Sequence, residues 1–279
     1  MPIKPILTLS LVLLLGVWDY FETLFAPNAE PWARWETHDP ASTATIDHGA
    51  WGEFLDKNLL TDGSGVNRMA YGLVTQADRA ILERYLRELE AVPISRFNRP
   101  EQFAFWVNLY NALTVRLVID HFPIAGIRDI KISPGLFAIG PWGKKIAVVE
   151  QEALSLNDIE HRILRPGWGD PRIHYAVNCA SIGCPNLLPE PFSAENHQRL
   201  LDAAARAYIN SPRGVRLENG GLVVSSVYNW FAADFGGSPV AVIDHLRKYA
   251  DPALAEQLAE LRTIDGYAYD WSLNDNVTP

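Results

Sequence analysis

Cysteine is scarce in this sequence, with two residues among 279, and both stand in one short stretch at positions 179 and 184. Disulfide stapling is therefore not what folds the chain, which at this length and 48 % hydrophobic residues can bury a core unaided. Positive charge is also short. Twenty-four Lys and Arg stand against 33 Asp and Glu, for a net charge of -9, and the basic residues are scattered. Such a chain presents no cationic footprint for a phosphate backbone, so nucleic acid is not an expected partner. Internal repeats, low-complexity tracts and Gly/Ser/Pro-rich linkers are absent, which removes solenoids and any firm boundary between two domains. One globular domain over residues 30–279 is the simplest reading. Aromatic residues are plentiful instead, with nine Trp and eleven Phe, which suits core packing or the lining of a cleft.

Long hydrophobic runs are confined to the amino terminus, where Lys4 precedes an apolar run from Ile6 to Trp18. The run is shorter than the roughly 20 apolar residues of a spanning helix, and Asp19 and Glu22 end it. Residues 1–29 therefore read as an export signal or an amino-terminal membrane anchor. Pro27 spoils the small-x-small cleavage pattern around Ala26 and Ala29, so cleavage after about Ala29 and retention as a tether both stay open. The expected location is the periplasm, free or membrane-anchored.

Along the chain, helices are predicted over Trp51–Leu59 and Gln76–Leu89, followed by one long helix in "RPEQFAFWVNLYNALTVRLVIDHFP", with Pro100 near its start and Pro123 as its stop. Its middle is apolar nearly all round, so it should be buried, and Asn108 and Asn111 must find partners inside. Those partners are either a structural polar network or a catalytic group that an amide orients. "IAVVEQ" reads as a strand, and "SLNDIEHRILR" as a short helix opened by Ser155 and Asp158 in capping-box spacing. Glu160 and His161 sit on that helix, where salt bridging is the commoner role for such residues. "RIHYAVN" reads as a strand, "AENHQRLLDAAARAYI" as a helix capped by Ser193, and "GVRLENGGLVVSS" as a hairpin turning at Asn219-Gly220. "VYNWFAADFGG" reads as a short helix, and Ser238-Pro239 and Asp251-Pro252 as helix starts. The sum is a helix-rich α+β, or mixed α/β, domain with a small, mostly antiparallel sheet.

The segment "HYAVNCASIGCPNL" admits three chemistries. A thiol can be activated to a thiolate by an imidazole, with an amide or carboxylate fixing the ring. Candidates are Cys179 or Cys184 for attack, His174 or His161 as base, and Asn178, Asn108 or Glu160 as orienter. Alternatively, Cys179 and Cys184 form a local disulfide, which an exported protein permits and which adds only modest stability across so short a loop. A zinc site from Cys179, Cys184, His174 and His161 is the third, although the spacing lacks a second CxxC-like pair. In a straight strand, the odd separation of His174 and Cys179 puts them on opposite faces, whereas the turn at Gly183 and Pro185 frees Cys184. That reasoning favours Cys184 as the nucleophile.

"FAFWVNLYNALTVRLVIDHFP", "DIEHRILR", "DPRIHYAVNCASIGCPNL", "VYNWFAADF" and "YAYDWSLND", in this order from about Gly65 to Asn274, resemble the family called domain of unknown function 547. The amino-terminal "WARWETHDPAST" is similar to its exported bacterial members. The resemblance implies a signature of Asn108, Asn111, Glu160, His161, His174, Cys179, Cys184 and Pro185, with no assigned activity. Some eukaryotic members of the family are joined to glutaredoxin-like domains, an associational hint of thiol chemistry. The expectation is an exported thiol-dependent hydrolase or acyl transferase of papain-like or transglutaminase-like logic, acting on an amide or ester of a small molecule or peptide without cofactor or metal. The alternatives are a non-catalytic envelope binding module with a Cys179–Cys184 disulfide, and a thiol-disulfide redox protein.

Overall fold

The computed structural model describes residues 27–276 apart from positions 62, 136, 137 and 219. The apolar run at Ile6–Trp18 and Asn219 of the hairpin turn lie outside the described residues. The first helices, α1 (Gly49–Asn58) and α2 (Gln76–Glu90), pack on each other, and α2 opens with a capping box in which Thr75 and Asp78 exchange hydrogen bonds. α3 (Arg99–His121) begins at Asn98, whose side chain accepts from Glu101 N–H, and has Pro100 in its first turn. From Glu101 to Val115 every residue is buried, as an all-round apolar helix requires. Phe105, Val107 and Leu113 are fully enclosed, and truncating Phe105 to Ala would cost about 3–5 kcal/mol.

Strands are few and short. β1 (Leu59–Leu60) pairs with β2 (Arg68–Met69), and β3 (Ala147–Val149) forms a hairpin with β4 (Glu152–Leu154). β5 (Val215–Glu218) and β6 (Gly221–Ser225) make the expected hairpin, and β7 (Gly266–Ala268) adds to β6 in parallel. The chain is thus a helix-rich α+β domain whose small sheets are antiparallel except for that last pairing.

Two apolar clusters fill the interior. The larger surrounds α3 and includes α1, α2 and the segment 154–164. The smaller joins α5 (His197–Ile209), the β5–β6 hairpin, the short α6 (Val227–Trp230) and α7 (Pro239–Tyr249), and Leu188 packs against both clusters. Ser238 caps α7 by accepting from Ala241 N–H, while α8 (Pro252–Leu258) follows Asp251 with no side-chain cap bond. Among the described residues no helix is long and apolar enough to cross a membrane.

Two local expectations change. "DIEHRIL" is helical, but Asp158–Leu164 is a π-helix that runs into the short α4 (Arg165–Trp168), a geometry that is rare and frequent at functional sites. "RIHYAVN" is not a strand. Pro171–Tyr175 is a 3₁₀ turn started by Asp170, whose carboxylate accepts from Arg172 N–H. The strand geometry that separated His174 from Cys179 therefore does not exist.

Candidate functional site

Buried amides build the loop that carries the thiols. Asn111, on α3, donates to the Ala176 carbonyl at 2.9 Å and accepts from Asn178 N–H at 2.8 Å. Asn178 in turn donates to the Pro185 carbonyl at 2.7 Å and accepts from Ala180 N–H at 2.9 Å. These bonds hold Ala180 in the left-handed region, φ 58°, directly after Cys179. A non-glycine residue there is strained, and such strain concentrates at functional sites. The far side of the loop docks on the carboxy-terminal segment: Ile182 and Gly183 donate to the Ser272 and Asp270 carbonyls, both at 2.8 Å. The approach is so close that a Cβ on Gly183 would lie 2.6 Å from Asp270 N, which only glycine avoids.

Both cysteines are free thiols, with their Sγ atoms 3.1 Å apart. Cys179 is also 3.0 Å from the Tyr269 hydroxyl and 3.3 Å from Ser181 Oγ, and those two hydroxyls are 2.9 Å from each other. The Cys184 thiol, followed by Ser181 and Tyr269, supports a Cys179 thiolate. Together they outweigh burial and Glu160, so its pKa is lowered. Cys184 moves the other way. Burial, and then the neighbouring Cys179, push its thiol well up. The two thiols are thus driven in opposite directions, Cys179 down and Cys184 up.

His174 lies flat on Phe231, ring centroids 4.5 Å apart, and its Nε2 donates to Asp234 Oδ2 at 2.7 Å. Its Nδ1 faces Glu160 Oε1 at 4.0 Å. The same Asp234 oxygen accepts from Arg165 Nε at 2.6 Å. Burial raises the Asp234 pKa, but the bonds from His174 and Arg165 prevail and hold the carboxyl below the usual range. Arg165 reaches further, donating to the Pro27 carbonyl at 2.8 Å and to His161 Nδ1 at 3.0 Å. Burial lowers the His161 pKa to about 4; Glu160 opposes this and Arg165 adds to it, so the ring is neutral at pH 7.

These groups open on one cleft of about 920 Å³, near the upper end for small-molecule pockets. Glu160, His161, His174, Cys179 and Cys184 line it, together with Trp142, Trp230, Phe231, Tyr269 and Trp271. Among the described residues no group of three or more His, Cys, Asp or Glu is arranged to hold a metal ion. The four zinc candidates are engaged elsewhere: His174 with Asp234, His161 with Arg165, and the thiols with each other.

Of the residues singled out in the sequence, Cys179, Cys184, His174, His161 and Glu160 come together. Asn108 does not join them. Its amide donates to the Phe192 carbonyl and accepts from Phe192 N–H, at 2.7 and 3.0 Å, so it ties down a neighbouring loop. Asn178 is inside the site, where its amide accepts from Ala180 N–H and donates to the Pro185 carbonyl. Asp234, Arg165, Tyr269 and Ser181 were not anticipated. Asp234 and Tyr269 stand in the motifs "VYNWFAADF" and "YAYDWSLND", which offered a place to look but no indication that they converge on the thiols.

No curated protein and no solved structure matches the chain at a significant level. A family model does match, over residues 94–209, a span that contains α3, the π-helix and both thiols and ends before Asp234 and Tyr269. Over that span the chain resembles the family described as Protein of unknown function, DUF547.

Proposed function

We propose that this protein is a thiol-dependent hydrolase or acyl transferase with Cys179 as its nucleophile. The observation that carries the reading is the setting of Cys179 Sγ, which lines the cleft and lies within 3.3 Å of the Cys184 thiol and the Ser181 and Tyr269 hydroxyls. The two hydroxyls can each donate to a thiolate at that position, and the Cys184 thiol beside it favours the same form, the form that attacks. In the proposed cycle, the thiolate adds to an ester or amide carbonyl, a C–S bond forms, and the C–O or C–N bond breaks. His174 Nδ1 takes the proton of the ionising Cys179 thiol, gives it to the departing oxygen or nitrogen, and takes another from the attacking water or acceptor in the second half, since Nε2–H is fixed on Asp234 and Nδ1 is turned to the cleft side where Glu160 stands. Water, or an acceptor alcohol or amine, then cleaves the thioester and restores the thiolate. Export to the periplasm, with or without a membrane tether, remains part of this proposal on the strength of the amino-terminal apolar run.

A second reading, thiol-disulfide exchange, is favoured by one observation, the 3.1 Å contact between the two Sγ atoms. Alkylation separates the two. Intact-mass analysis of natively purified protein treated with iodoacetamide across pH 5 to 9 should show Cys179 labelled first, well below the pH at which ordinary thiols react. Cys179→Ser should lose that rapid phase. No labelling before reduction, followed by equal and slow labelling of both thiols, would reject the nucleophile and favour the bridged pair.

A further inference from the structure

We infer that the substrate of this site carries a long apolar acyl chain, laid along the aromatic wall of the cleft with its carbonyl at Cys179. This rests on the thiol chemistry proposed above and names its substrate class. The wall is built of Trp142, Trp230, Tyr269 and Trp271, with Trp271 in ring contact with each of the others at centroid separations of 4.6 to 5.9 Å. The Nε1 atoms of Trp230 and Trp271 are buried without a hydrogen-bond partner, so these indoles offer the cleft ring carbon rather than N–H donors. Ile139, 55 % exposed, lines the same cleft, as do Pro134, Ala138 and Val227.

Apart from the thiol, histidine and glutamate set, the polar side chains of the lining are Arg128, Ser133, Asn157 and the hydroxyls of Tyr110 and Tyr269, the last already engaged with Cys179 and Ser181. Arg128 itself packs over the Trp271 ring at 4.9 Å. A peptide or sugar bound here would bring several donors and acceptors out of water with few groups to meet them, a loss its apolar contacts do not offset. An acyl chain brings none beyond its carbonyl, which is the atom pair the thiolate needs. Its methylenes leave water against ring carbon, and binding strengthens with each carbon added.

A series of N-alkyl iodoacetamides from methyl to decyl, used below micelle-forming concentrations, tests the inference. The labelling rate at Cys179 is followed by intact mass and peptide mapping, and each rate is divided by that of glutathione with the same reagent. The relative rate should climb with chain length, by up to about fourfold per methylene, the equivalent of 0.8 kcal/mol, and then level off. Ile139→Asp, a change at an exposed side chain that spares the core, should lower the decyl-to-methyl ratio. A ratio flat in chain length, with Cys179 still labelled ahead of Cys184, would overturn the acyl-chain inference and leave the thiol reading standing. Failure of Cys179 to react ahead of Cys184 with any reagent would overturn both.

Discussion

Asp234 Oδ2 receives two donors, His174 Nε2–H and Arg165 Nε–H, and this one oxygen fixes both side chains. The bond to His174 leaves Nδ1 as the nitrogen that exchanges protons, which is the orientation the proposed cycle uses. With its folded pKa depressed, the carboxylate contributes stability above its unfolded value of about 3.9 and loses it only as pH falls through the lower folded value. The arrangement is therefore intact at neutral and mildly acidic pH. Asp234→Asn keeps the shape but removes the charge facing Arg165, and should cost about 1.5–3 kcal/mol in urea unfolding. Its larger effect should be on turnover. Steady-state hydrolysis of nitrophenyl esters should fall by about 100-fold or more, the usual scale of general acid–base catalysis, while iodoacetamide still alkylates Cys179, whose partners are Cys184, Ser181 and Tyr269. Hydrolysis that survives at the native rate would remove His174 from the proton path.

At the scale of elements, α3 was legible because burial on every side follows from an apolar helix, and its two asparagines had to be satisfied inside. The outcome divides them. Asn111 holds the thiol loop through Ala176 and Asn178, while Asn108 holds Phe192. Replacing either by Ala leaves buried backbone groups unpaired, for a loss of about 2–4 kcal/mol in urea unfolding. Only Asn111→Ala should also change the pH dependence of Cys179 alkylation; an equal change in Asn108→Ala would show that the loop is not held as described. The capping pair Ser155 and Asp158 was legible too, and the two residues do exchange backbone hydrogen bonds. The π register was not, because apolar spacing does not report which carbonyls the rest of the chain will use. Here Glu30 and Trp32 N–H groups take the His161 and Arg162 carbonyls, a contact made across more than 100 residues of sequence. The 3₁₀ turn at Pro171 carried the same signal as Ser238-Pro239, an acceptor followed by proline, and the β-branched content after it obscured the reading. Asp234 and Tyr269 stayed hidden for a simpler reason. Neither has local chemistry that differs from a surface acid or a core aromatic until the fold brings it to His174 or Cys179.

Across the described residues, two buried histidines, His48 and His161, and the half-buried His245 tie stability to pH. His48 lies on the larger core, with Nδ1 bonded to the Tyr85 hydroxyl at 2.7 Å, and His161 sits in the π-helix. His245 lies against the smaller core, with Nε2 2.9 Å from the Tyr175 hydroxyl. Burial is the first cause in each case, and each pKa is lowered from 6.5 to about 4. Between those values the unfolded chain binds a proton at each site that the native state refuses. Stability is therefore fully present above pH 6.5 and falls as pH drops towards 4, with each histidine contributing on the order of 1–3 kcal/mol of the loss. The depressed carboxyls Asp78, Asp158, Asp170, Glu190 and Asp234 act lower, below their ordinary range. Urea unfolding at half-unit steps from pH 8 to 4 should give a plateau and then a slope of up to three protons, less what Glu101 offsets, since burial raises its carboxyl and the native state takes up that proton before the unfolded chain does. His245→Gln, which keeps an acceptor for Tyr175, should reduce that slope by about one proton. A slope unchanged by His245→Gln would mean that this ring is already protonated in the native state, and a flat profile from pH 7 to 4.5 would mean the same of all three.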